Sequence, residues 1–193
     1  MVYQTYTTTA IVCGSWPRNG ADKIFLLFTR ELGMLYATAR SVREERSRQR
    51  YALQECASVR VSLVRGRLGW RIGSVIDISH PVLSAKDRQR RIAIVRLLRT
   101  VRRFLPGESP VPNVFDTITH ALEHLVQTND VQAEVFTVCT QFKVLYELGY
   151  IAPTAIQQTF LTMPPDEIQN VVSEVNLEDM QRSIDNASAV SHL

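Results

Sequence analysis

Arg43, Arg46, Arg48 and Arg50 arrive within the ten-residue run Ser41-Val-Arg-Glu-Glu-Arg-Ser-Arg-Gln-Arg50, a density of guanidinium groups that singles this segment out. A guanidinium is planar, permanently charged and able to grip a phosphate through two parallel N–H donors, so such a run suits a phosphate backbone. Flexible arginines on the rim of a fold follow that backbone without demanding a particular base. Glu44 and Glu45 pair locally with some of them, yet four cations against two anions leave a positive surplus.

The bias extends well beyond the run. The net charge is only +3, but residues 1–110 carry 20 Lys and Arg against 8 Asp and Glu, whereas residues 111–193 carry 2 against 11. Only Lys23, Lys86 and Lys143 are lysines, so the basic half is an arginine surface. Such segregation implies a basic surface for a polyanion and a second, acidic module. The competing interpretation is a basic face for an acidic protein partner, the chain's own acidic half included.

Other reactive residue types form no catalytic pattern. Cys13, Cys56 and Cys139 make neither an even disulfide framework nor a C-x-x-C metal spacing, and Cys139 falls within an apolar helical row. His120 and His124 stand one helical turn apart without a third ligand nearby, and read as an exposed pair flanking Glu123. No nucleophile elbow, zinc-protease motif, Walker loop or dinucleotide fingerprint occurs. The expectation is a protein without enzymatic activity, metal or cofactor. With 45% hydrophobic and 21% charged residues the chain folds. No apolar run is long enough for a membrane span and no secretory signal is recognisable, so the expected location is cytoplasmic.

The elements that position the arginines begin with five strands, expected near 5–13, 24–30, 34–41, 57–65 and 70–78 and separated by glycine-containing turns. Val59, Val61 and Leu63 alternate with Arg60 and Ser62, and Trp70, Ile72, Ile76 and Ile78 are expected on one face opposite Arg71 and Asp77. Five strands with a long polar connection between the third and fourth fit an OB-type barrel. Tyr36, outward beside Arg40, is either a base-stacking surface or a cap on the barrel end. Trp16 is assigned to the first turn, and Tyr51 follows the arginine run.

Residues 85–105 read as an amphipathic helix. Ile94, Leu97, Leu98, Val101, Phe104 and Leu105 form its apolar arc, and Arg88, Arg91, Arg96, Arg99, Arg102 and Arg103 the opposite, basic arc. The segment 106–112, rich in proline, breaks it and marks a linker. Further helices are expected near 113–128, 131–148 (stopped by Gly149), 154–162 and 165–174, then from a cap at Asn176 to about 186, with a fraying tail. The resulting class is α+β: an OB-fold domain over 1–80, a basic helix and linker over 81–110, and a helical domain over 111–193.

Several of these residues resemble the bacterial RecO recombination mediators. The resemblance lies in Thr9-Ala-Ile-Val12, Ala21-Asp-Lys-Ile24, Leu27-Phe-Thr-Arg-Glu-Leu-Gly33, Ala37-Thr-Ala-Arg40, Leu53-Gln54 and Phe142-Lys-Val-Leu-Tyr-Glu-Leu-Gly-Tyr150 with Pro153. It implies an OB-fold followed by a helical domain, binding of single- and double-stranded DNA, strand annealing, and assembly with RecR and the single-stranded-DNA-binding protein. It also implies a nucleoid association within the cytoplasm. Two departures stand out. Thr154–Phe160 lacks the cysteine cluster that many such chains carry there, so zinc is not carried over, and Ser41 stands where the family usually has glycine. The chain is short for this family, and residues 160–193 fall outside the resemblance.

The residues then expected to meet DNA are Arg40, Arg43, Arg46, Arg48, Arg50, Arg60 and Arg71, with Tyr36 as a stacker and Arg88, Arg91 and Arg99 as an extension along the helix. The expected function is a DNA-repair mediator that helps load recombinase onto coated single strands. A protein-interaction adaptor and an OB-fold RNA-binding factor share its electrostatics.

Overall fold

The computed structural model describes residues 4–105, 107–127, 132–163, 167 and 173–190. The chain divides into two units, Met1–Leu83 with Pro106–Phe115, and Ser84–Leu105 with Asp116–Leu193.

Five strands build the first unit: β1 (Thr5–Pro17), β2 (Lys23–Thr29), β3 (Gly33–Ala39), β4 (Ser58–Gly66) and β5 (Gly69–Ser79). They close into a barrel in the order β1-β2-β3-β5-β4. All pairings are antiparallel except β3 with β5, which run parallel at Ala37–Trp70 and Thr38–Arg71. β1 serves both neighbours: residues 5–11 pair with β4 and residues 10–17 with β2, across a register shift between Val12 and Gly14. Such an irregularity bends a strand and lets it turn a barrel corner. The result is the OB-type barrel expected from the strand count.

Alternation along each strand fills the interior. Ala10, Val12, Phe25, Leu27, Leu35, Ala37, Ala39, Val59, Val61, Leu63, Trp70 and Ile72 form one buried cluster. The fifth strand departs from the expected phase. Ile76 and Ile78 are 63% and 53% exposed, and Val75 packs against the core in their place. A bulge is the cause: Val61 pairs with Val75 and Leu63 with Ile72, so Gly73 and Ser74 together oppose Ser62. One extra residue moves the side chains that follow it to the opposite face.

The arginine run is tethered at both ends, because Val42 and Leu53 insert into the barrel cluster. Between them lies a single helical turn, α1 (Gln49–Ala52). Ser41 adopts φ 49°, in the left-handed region, which is the physical reason a glycine would be at home there. Its N–H donates to Asp22 Oδ1 at 2.8 Å.

Residues 107–112, from the stretch that composition marks as a linker, and the residues up to Phe115 that follow them pack along this unit. Met34 N–H donates to the Gly107 carbonyl at 2.9 Å, Arg65 pairs with Glu108 at 3.1 Å, and Phe115 meets Phe28 edge-on at 5.1 Å. Gly33 makes the close approach possible. It has φ 72°, and a Cβ there would lie 2.2 Å from the Ser109 carbonyl oxygen.

After a short turn of helix, α2 (Pro81–Ser84), come α3 (Arg88–Phe104), α4 (Pro112–Gln127), α5 (Ala133–Glu147), α6 (Ala155–Leu161) and α7 (Glu174–Val190). Asp87 caps α3 by accepting from Arg90 N–H at 2.9 Å, and the expected apolar arc is buried throughout. Gly149, at φ 79°, ends α5 as its position suggests. Thr154 and Gln157 close a capping box on α6. Asn176 does not cap the last helix. That helix begins at Glu174, Ser173 Oγ accepts from Asn176 N–H at 3.4 Å, and helical structure continues to Val190 past the expected end. Met180 and Ile184 hold it in a cluster with Phe104, Val138 and Phe142. The helix expected over 165–174 lies outside the described residues, Glu167, Ser173 and Glu174 apart.

Candidate nucleic-acid interface

Closure of the barrel brings the β1–β2 turn, the end of β3 and the β4–β5 hairpin to one place. They surround an open cleft of about 350 Å³ lined by Arg18, Asp22, Thr38, Arg40, Arg67 and Arg71, with Trp70 and the hairpin glycines. Four arginines and a single acidic residue, Asp22, therefore line it, and the Asp22 carboxylate already accepts the Ser41 N–H. A second cleft of about 220 Å³ shares Arg40 and Arg71 and adds Gln49, whose side-chain amide donates to the Gly73 carbonyl at 2.9 Å. A third, of about 500 Å³, is rimmed by Lys23, Arg43, Arg50 and Tyr51 above Phe25, Val42 and Leu53.

The structure thus brings together Arg40 and Arg71, and separately Arg43 and Arg50, among the residues expected from sequence. Arg43 is held by a 3.1 Å hydrogen bond from Nη1 to the Gly20 carbonyl. Arg50 lies over the Tyr51 ring at 4.8 Å and donates to its hydroxyl at 2.7 Å. Arg46 forms an exposed ion pair with Glu44 at 3.1 Å. Hydrogen bonds from Ser41 and then Arg46 hold the Glu44 carboxyl below the usual carboxylate range. Arg48 is exposed just before α1. Arg60 is exposed on the barrel wall, opposite Thr9 and Ile76, and lines none of these three clefts. Arg88, Arg91 and Arg99 are exposed on α3, in the second unit, where Arg91 Nη2 donates to the Ala85 carbonyl at 3.2 Å. Arg96 is half-buried on Gln181, and Arg90 is buried in an ion pair with Asp87.

Sequence reasoning missed Arg18, Arg67 and Lys23. Their signal was present, since Arg18 and Arg67 sit in the glycine-containing turns that follow β1 and β4. Linear clustering could not find them, because barrel closure rather than proximity along the chain gathers these turns.

Tyr36 is 61% exposed and leans on Trp16, ring centroids 5.9 Å apart at 49°. Trp16 lies within β1 opposite Ile24, not in the turn as expected. The long, curved β1 carries it onto the barrel wall. Trp70 is packing, as its alternation suggests, with Tyr6 edge-on at 5.3 Å.

Burial pushes the Cys139 thiol up to about 12, and burial together with Glu55 pushes Cys56 up to about 11. Both stay protonated near neutral pH, the unreactive form of a thiol. His120 is exposed while His124 is half-buried and stacks on Phe136 at 4.7 Å. Among the described residues no three His, Cys, Asp or Glu side chains are grouped to hold a metal ion, and no helix is long and apolar enough to cross a membrane.

Barrel and clefts define the class: an OB-fold protein with a cationic loop face, of the fold whose second and third strands and flanking loops take oligonucleotide and oligosaccharide ligands. Residues 1–77 match the family model described as Recombination protein O N terminal, and residues 85–154 match Recombination protein O C terminal. The chain belongs to the RecO family. It is 28% identical over 145 residues to the DNA repair protein RecO of Dehalococcoides mccartyi, covering 75% of this chain and 56% of that protein. It is 25% identical over 147 residues to the DNA repair protein RecO of Thermodesulfovibrio yellowstonii, covering 76% and 58%. The matched part of the chain spans a little over half the length of these curated relatives.

Proposed function

We propose that the chain acts in DNA repair and recombination as a non-enzymatic DNA-binding mediator, holding single- and double-stranded DNA by its phosphates and helping complementary strands anneal. The observation that carries this reading is the cleft lined by Arg18, Arg40, Arg67 and Arg71 with Asp22 as its single acidic residue. Annealing needs no covalent step. Neutralised phosphates repel one another less, and contacts blind to sequence let bases search for their register. Family membership supports the further role of loading recombinase onto strands coated with single-stranded-DNA-binding protein, together with RecR.

The test is binding of a random single strand and of its duplex, followed by fluorescence anisotropy across a salt series. Affinity for both that falls steeply with salt is expected, together with faster annealing of complementary oligonucleotides coated with single-stranded-DNA-binding protein. Binding that is absent or flat across the salt series refutes the reading and favours a protein-interaction adaptor.

A further inference from the structure

Across the outer wall of the barrel, two rows of paired residues run from β1 through β2 to β3. One is Trp16, Ile24 and Thr38; the next is Gly14, Leu26 and Tyr36. Gly14 offers no side chain to Tyr36 in its own row, and the tyrosine ring leans diagonally onto Trp16. Leu26 is only 3% exposed, whereas Tyr36 remains 61% exposed. At the edge of the same wall Arg18 Nη1 donates to Thr38 Oγ1 at 2.7 Å, and Arg18 also lines the arginine cleft. A supported aromatic surface therefore adjoins the arginine cleft through one shared residue, Arg18.

An unpaired base carries a free π face that stacks on such a ring whatever its identity. Bases inside a duplex are already stacked on both faces and have none to give. We propose that Tyr36, backed by Trp16, is a stacking site for one unpaired base, with Arg18 on the adjoining phosphate, so that the barrel distinguishes single-stranded from double-stranded DNA. The inference rests on the DNA-binding reading above and adds a strand preference to it. Phosphate contacts in the cleft serve both forms, whereas the ring pair serves only one.

The experiment compares the wild-type chain with Tyr36→Ala and Tyr36→Phe on three ligands of equal length: an oligothymidylate, a duplex, and a single strand of abasic sugar-phosphate. Thermal unfolding confirms that each variant is folded. Tyr36→Ala is expected to weaken oligothymidylate binding by about 5- to 160-fold, the range that corresponds to loss of one base–aromatic stack. Duplex and abasic binding should not change, and Tyr36→Phe should behave as wild type. Oligothymidylate should also quench the Trp16 fluorescence, read as the difference between the wild-type chain and Trp16→Phe, because Trp70, which lines the cleft, is present in both. If the wild-type chain binds DNA but Tyr36→Ala loses affinity equally for all three ligands, or for none, the stacking site is refuted alone. A wild-type chain that binds no DNA refutes the underlying reading and the stacking site with it.

Discussion

Replacing Arg40 and Arg71 together by glutamine removes half of the four guanidinium groups in the main cleft, and both residues that it shares with the second cleft. Each phosphate neutralised on a single strand contributes about −0.7 to the slope of log affinity against log salt. Four cleft contacts give a slope of about −2.8, and two lost contacts flatten it to about −1.4. On the same relation one contact is worth about 8-fold in affinity at about 50 mM salt and about 3-fold at about 200 mM. The double variant should therefore bind a single strand about 70-fold more weakly at about 50 mM and only about 10-fold more weakly at about 200 mM. Anisotropy titration over that salt range measures both figures. Arg60→Gln is the control, because Arg60 carries the same charge on a part of the wall outside the three clefts. It should alter affinity by less than about 2-fold, as a long-range screened charge does. An unchanged slope in the double variant, or an equal loss in Arg60→Gln, would show that general charge rather than the cleft holds the strand.

Arg46, Arg48 and Arg50 changed together to alanine should weaken DNA binding without lowering the melting temperature, since all three are exposed; unchanged affinity removes the loop from the interface. Gly33→Ala meets the Ser109 backbone and forces a left-handed alanine, so denaturant unfolding should show a loss of about 2–4 kcal/mol, and wild-type stability would contradict the packing of 107–115 on the barrel. Burial raises the Glu147 carboxyl above its ordinary value near 4.5, although Thr117 and Lys143 oppose the shift. Its folded form thus holds a proton more tightly than the unfolded form, and stability declines as pH rises from the ordinary value through the raised one. Glu147→Gln should therefore melt higher than wild type at pH about 7, with the gain vanishing once pH falls below the ordinary carboxylate range; a gain that persists in acid would refute burial as the cause.

Local pattern was enough for much of the architecture. Val59, Val61 and Leu63 announced a strand with one buried face, and all three are fully buried. The apolar arc of α3 and the stop at Gly149 were equally legible, because period and turn chemistry are properties of neighbouring residues. Ile76 and Ile78 were not, since a bulge at Gly73 and Ser74 depends on how β4 and β5 settle their register. The start of α7 was missed for a related reason: Asn176 is a good cap in isolation, but Ser173 lies where the bond forms.

By itself the sequence determined that the first half would be an arginine-rich barrel and the second half acidic and helical, because charge and hydrophobic period are written residue by residue. Only the tertiary structure decided which arginines act together. Arg18, Arg40, Arg67 and Arg71 converge because a closed barrel must return β5 to β3, which carries the hairpin of one end of the sequence pattern to the turn of the other. Arg60, equally basic on paper, stands apart on the wall for the same reason, whereas Arg46 is taken up by Glu44 two residues away.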